Sequence, residues 1–209
     1  MRNILDIYKE YKLPENLQLH QLRVASVAKV LAESYKKESL PIDVIVKACL
    51  LHDMANIVKF DLEHFPDFIK NDEISYWSDV KNEFIKKYGS NENEATLSIV
   101  SELGLRTPLV EDIIRHIDFS DSKVEENISV AISHYADMRV GPYGVLSLKE
   151  RLFKDWATRT PDKKDIAEIL YERFTIFEDS FFKDIDLKPE EITDELIAPI
   201  IEELKKIEL

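Results

Sequence analysis

Apolar residues recur along most of the chain at spacings of three and four, the period of an amphipathic helix. Leu22, Val27, Val30 and Leu31 predict one such helix over roughly residues 17 to 37, with His20 in its first turn. The next segment, PIDVIVKACLLHDMANI, is almost wholly apolar through Leu51. That pattern suits a helix buried on most sides at the centre of a bundle, with His52 and Asp53 closing it. Further on, boundary signals carry the reading. Ser122 with Glu125 and Ser147 with Glu150 have capping-box spacing, and Thr107-Pro108 and Thr160-Pro161 pair a cap with a proline at the first helical position. Gly104 is a natural stop for a helix that begins near Asn91. Residues 60 to 90 mix Phe60, Phe65, Phe68, Tyr76, Trp77, Phe84 and Tyr88 with charge and read as short helices and loops. From about residue 161 the tail reads as two amphipathic helices, separated near Asp186 to Pro189. No repeat, low-complexity tract or glycine-serine linker interrupts the pattern. The expected fold is all-α: one helical bundle over residues 1–160, with the helices of residues 161–209 packed on the same domain.

Composition agrees. With 209 residues, 44% hydrophobic and 33% charged, the chain can bury a sizeable core without disulfides. Its four glycines favour helices over turn-rich β architecture. A formal charge of −13 repels polyanions, so polymeric nucleic acid and acidic membranes are poor partners, whereas a small phosphorylated ligand is compatible with local basic residues. The N-terminus, MRNILDIYKEYKLPEN, lacks the continuous apolar core of a signal peptide, and no run approaches the ~18 uncharged residues of a membrane span. Together with the lone Cys49, this gives the expectation of a cytoplasmic protein, and a homodimer is kept open as a partner. Cys49, in its apolar run, reads as a small buried hydrophobe.

Chemistry concentrates at the end of the apolar helix. Burying the imidazole of His52 beside the carboxylate of Asp53 is costly unless something pairs with both, and a metal ion would. Adjacent helical side chains diverge by about 100°, which lets both reach one ion off the helix end, with further ligands from other helices. His20 lies 32 residues earlier, in HQLRVASVA, and Asp137 lies 84 residues after Asp53, in ISHYADMRVGP. A His, a His-Asp doublet (LLHDMA, residues 50 to 55) and a distant Asp (YAD, residues 135 to 137), in that order, resemble the HD superfamily of metal-dependent phosphohydrolases. The resemblance covers roughly residues 17 to 140. It implies an HD-type helical bundle in which His20, His52, Asp53 and Asp137 are metal ligands. Two imidazoles and two carboxylates without thiolate suit manganese, iron, cobalt, nickel or magnesium better than a structural zinc. Coordination positions left open would activate a water toward a phosphorus, with Asp53 among the catalytic groups.

The same resemblance frames the other candidates. Members with a second metal carry two more histidines between the doublet and the last Asp. Here His116, in DIIRHIDF, matches the later one, while GSNENEA offers only Glu92 or Glu94 for the earlier, so a single metal is expected. His116 is then an acid-base or phosphate contact, or a core-edge histidine. Where the family often has a lysine three residues after the doublet stands Asn56, with Lys59 one turn later. Arg23, one turn from His20, is the leading phosphate clamp, followed by Arg115 and Arg139. His134, three residues before Asp137, is a substrate or ligand-supporting contact or a satisfied helix histidine. His64 reads as solvated, and Asp118 and Asp121 as a loop and cap. Three functions follow: hydrolysis of a small phosphate ester such as a nucleotide, a metal- and nucleotide-binding regulatory module without turnover, or di-iron oxygen chemistry.

Overall fold

The computed structural model describes residues 2–62, 71–117, 127–156 and 164–209. The Ser122 and Thr160-Pro161 caps, His64, Asp118 and Asp121 lie outside the described residues. Within them the fold is all-helical, with isolated β-bridges but no strand. Its elements are α1 (Ile4–Glu10), α2 (Glu15–Ser34), α3 (Ile42–Leu51), α4 (Ile74–Tyr88), α5 (Glu92–Glu102), α6 (Pro108–His116), α7 (Ile128–Arg139), a π-helical segment (Glu150–Trp156), α8 (Lys164–Phe181) and α9 (Asp194–Leu204). Short 3-10 turns occur at Asn56–Lys59, Asn71–Glu73, Phe182–Asp184 and Pro189–Glu191.

The expected boundaries hold where a specific side chain makes them. Asn91 accepts a bond from the Glu94 amide at the start of α5, and Gly104 ends that segment at φ 72°. Thr107 caps α6 through the Val110 amide, with Pro108 at the first helical position. Ser147 and Glu150 bond reciprocally as a capping box, although the segment they open is π-helical. The expected helix over 17 to 37 instead spans 15 to 34. It starts directly after Pro14 and stops because Tyr35 turns extended to bridge Ile185 and stack on Phe181. Residues 74 to 88 form one continuous helix in place of short pieces, since Trp77, Val80, Phe84 and Tyr88 recur on one packed face. Helix α1 was not anticipated. Asn3 caps it, and Ile4, Ile7 and Tyr8 bury its inner face.

The bundle is organised around α2, which packs most extensively on α3, then on α7 and α9; α3 also packs on α6. Helix α3 buries Ile45, Val46 and the Ala48–Leu51 run. Helix α7 is enclosed on every side, with Ser129 through Arg139 all buried, including five polar or charged residues. The tail helices close on this core, and the termini meet through reciprocal backbone bonds between Arg2 and Leu209. Among the described residues no helix is long and apolar enough to cross a membrane.

Candidate metal centre

Three segments bring four side chains together. His20 comes from the second turn of α2, His52 from the C-terminal cap of α3, Asp53 from the turn that follows, and Asp137 from the enclosed α7. The Nε2 atom of His20 lies 3.0 Å from Asp137 Oδ1 and 3.8 Å from Asp53 Oδ2. His52 Nε2 lies 3.6 Å from each of those carboxylates, and the two imidazole centroids are 5.5 Å apart. Donor atoms of His20, His52 and Asp137 all fall within 4.8 Å of one another, close enough to share one ion.

The surroundings fix these groups. His52 Nδ1 is 2.7 Å from the Cys49 carbonyl, which can only accept, so Nδ1 carries a proton and Nε2 faces the carboxylates. The Asp53 amide donates to Gln21 Oε1, and two residues later the Ala55 amide donates to Thr96 Oγ1. The loop holding the doublet is thus tied to α2 and α5. Cys49 is fully buried, and burial pushes its thiol up to about 12, in keeping with an inert packing role.

The electrostatics of the cluster suit a cation. Burial alone would depress the His52 pKa, yet Asp53 and then Asp137 outweigh it and lift the imidazole to about 9. Burial likewise opposes charge on Asp53, but His52, Lys59 and His20 prevail and lower its pKa. Asp137 is held well below the carboxylate range by bonds from His20 and His52 that overcome its burial. In the metal-free protein, protons on imidazole supply the positive charge that two buried carboxylates demand. A divalent ion would supply it through His20, His52 and Asp137, whose donor atoms lie close enough together to share it, so these residues fit the group; Asp53 lies outside that group of donors.

The remaining candidates are distributed differently. Lys59 pairs with Glu92 at 2.6 Å and is, after His52, the strongest positive influence on Asp53, which puts it beside the centre. Asn56 is buried, and its amide hydrogen goes to the Asp53 carbonyl, while its Oδ1 has no partner among the described residues. Arg23 donates to the carbonyls of Pro142 and Tyr143 and faces Asp194 at 3.6 Å, so an internal carboxylate already engages it. Arg115 is paired with Glu94 and Glu111 beside a surface pocket lined also by Pro108, Leu109, Asp112 and Asn127. His116 bonds through Nδ1 to the Asp112 carbonyl of its own helix and is not a member of the cluster.

Two expected substrate contacts are buried among other partners. Arg139 is 3% exposed, and its guanidinium is consumed by Tyr135, Glu178 and the carbonyls of Leu146, Pro189 and Ile192, where it fastens α7 to the tail. His134 is fully buried, edge-on to Phe174 of α8 at 4.8 Å. A three-residue step turns a helical side chain by about 60°, enough for His134 to face α8 while Asp137 faces the cluster. Gln21 was overlooked, yet it falls on the stripe of Leu17, Val24, Ala25 and Ala28 that α2 buries, so a polar residue at that position was the available signal.

No curated protein and no solved structure matches the chain. A family model described as HD domain matches residues 18–204, extending the 17-to-140 resemblance across the tail helices. Members of that family are generally metal-dependent hydrolases that bind divalent metals. With the ordered ligand motif, the all-helical bundle and this match over most of its length, the chain belongs to the HD domain family.

Proposed function

We propose that the protein is a metal-dependent phosphohydrolase acting on a small phosphate ester, with nucleotides and related compounds as its substrate class. The observation that carries this reading is the convergence of His20, His52, Asp53 and Asp137 from three segments, with imidazole-to-carboxylate distances of 3.0 to 3.8 Å. When bound, a divalent cation supplies Lewis acidity: it lowers the pKa of water from about 15.7 to about 7 and offsets phosphate charge.

The chain supplies the rest. His52, oriented by Cys49, and Asp137, enclosed in α7, hold their donor atoms in place without rearrangement. Asp53 keeps its charge at neutral pH and lies farther from His20 than Asp137 does, outside the group of donors close enough to share one ion, so its role is to align an attacking water by hydrogen bonding. Lys59 is half exposed beside Asp53 and is the ammonium placed to meet a phosphoryl oxygen. Arg23, three residues from His20, adds a second contact when a phosphate replaces Asp194 as its partner. His116 is the acid-base candidate outside the cluster.

The test is elemental analysis of purified wild type, His52→Ala and Asp137→Ala, with a phosphate-release screen on a nucleotide panel in manganese. The expected result is one divalent metal per chain and phosphate release, both lost in the variants. His116→Gln is expected to lower kcat with metal content unchanged. The engaged state of Arg23 and Arg115 and the neutral Asn56 favour a second reading, a regulatory module that binds metal and nucleotide without turnover. Tight nucleotide binding without phosphate release would select it. Metal absent from the wild type would overturn both.

A further inference from the structure

Arg23 stands one helical turn along α2 from His20, and its guanidinium is fixed in orientation. Its Nη1 donates to the Pro142 carbonyl at 3.4 Å and its Nη2 to the Tyr143 carbonyl at 3.1 Å, which leaves the Nε edge facing Asp194 Oδ1 at 3.6 Å. Both carbonyls belong to the turn that follows α7, the helix of Asp137. That turn is closed by the Gly141 amide, which donates to the Gly144 carbonyl, and by the bridge between Val140 and Val145. The other oxygen of Asp194, Oδ2, accepts from the Val145 amide at 3.1 Å. A Cβ on Gly144 would overlap that oxygen, so the carboxylate fits because this position is glycine. A guanidinium, a backbone amide and a glycine that lets an oxygen approach are the donor set of an anion site, assembled here from α2, the 141–144 turn and the start of α9.

We propose that this is a binding site for a phosphoryl group of the substrate, filled at rest by the chain's own Asp194 carboxylate. As an anion site it stands on the contacts above; as a substrate contact it rests on the phosphohydrolase reading. Asp194 is the replaceable member. Its side chain is 47% exposed against 15% for Arg23, and its approach to Nε is longer than a hydrogen bond, so the pair is open to water and contributes little. The donors, by contrast, are held by Pro142, Tyr143 and the closed turn whether or not the carboxylate is present. A phosphoryl dianion brings a second charge and a third oxygen to the same donors. Helix α9 survives the exchange, because its cap is the Thr193 side chain on the Leu196 amide.

The experiment titrates inorganic phosphate, at constant ionic strength, into metal-free protein from which the chelator has been dialysed, with circular dichroism to show that each variant is folded. Wild type is expected to bind weakly. Asp194→Asn removes the charge and keeps the shape, and Asp194→Ala also vacates the space. Each is expected to bind at least about 10-fold more tightly, the factor for a site open about one part in ten of the time. Arg23→Gln added to Asp194→Ala is expected to abolish the gain. With manganese and a substrate from the nucleotide panel, Asp194→Asn is expected to lower KM with kcat little changed. Phosphate affinity unchanged in both Asp194 variants overturns the proposal, and a gain that survives Arg23→Gln places the anion elsewhere and overturns it too. An unchanged KM overturns the substrate contact. Because the titration contains no metal, these results leave the metal centre standing, whereas a loaded wild type that releases no phosphate removes the phosphohydrolase reading and leaves the anion site.

Discussion

Raising the pH on metal-free protein sets two claims about the centre against each other. In that state His52 titrates near 9 against an ordinary 6.5, a difference of about 2.5 units, or on the order of 3 kcal/mol at about 1.4 kcal/mol per unit. A histidine whose pKa is raised on folding favours the fold fully below about 6.5, and that contribution disappears as pH climbs through 9. Asp53 and Asp137 have lowered values, so their contribution is present above the ordinary carboxylate range and is lost only in acid. The chelated protein should therefore lose on the order of 3 kcal/mol between pH 6.5 and 9. At about 2–4 °C per kcal/mol for a chain of this size, Tm falls by about 6–12 °C. Bound metal reverses the trend, because the ion must displace the His52 proton, so apparent affinity rises about tenfold per pH unit below 9. At a free ion concentration 100 times Kd the ion stabilises the fold by about 2.7 kcal/mol, raising Tm by about 5–11 °C. The assay is thermal unfolding at pH 6, 7.5 and 9, with a chelator and with manganese. A chelated Tm that stays flat from pH 6.5 to 9, or a manganese-induced shift that does not grow with pH, refutes the claim that protons and metal compete for the same imidazole.

Other consequences can be checked by single substitutions. Arg139→Met strands Glu178, Tyr135 and three carbonyls in the core, and should cost about 3–5 kcal/mol, seen as a fall in the midpoint of denaturant unfolding. Gly144→Ala brings a Cβ against Asp194 Oδ2, so the carboxylate must shift off the Val145 amide; because that bond is exposed, a loss of about 0.5–1.5 kcal/mol by the same measurement is expected, and wild-type stability would show that the contact is dispensable. Gln21→Met orphans the Asp53 amide but also deletes a buried Nε2 that has no partner among the described residues, so the two effects offset to within about 1 kcal/mol. Manganese affinity should nonetheless fall about 10–100-fold, because the doublet loses its tie to α2; unchanged affinity would remove Gln21 from the centre.

What the sequence disclosed and what it concealed divide along a physical line. The cluster of His20, His52, Asp53 and Asp137 was legible because imidazoles and carboxylates are costly to bury, so their presence at the end of an apolar run and inside a buried helix demands a partner. Cap residues such as Asn91 and Thr107 were legible because they act on amides two or three residues away. The roles of Arg139 and His134 depend on where α8 and the tail loops pack, a long-range outcome that no local spacing encodes. Helix α4 was hidden by charge between its buried positions, and α1 by its brevity. The substrate contacts were the least legible for a reason rooted in composition. With 41 acidic against 28 basic residues, each candidate cation meets an internal acid before it meets a ligand. Lys59 rests on Glu92, Arg23 faces Asp194, and Arg115 holds Glu94 and Glu111. On the proposed reading, a phosphate entering this site would compete with carboxylates already in place and gain only the difference between the two pairings. Selectivity would then depend on which internal ion pair a given substrate displaces, so the acids opposite Lys59 and Arg23 would bear on substrate choice as directly as the cations do.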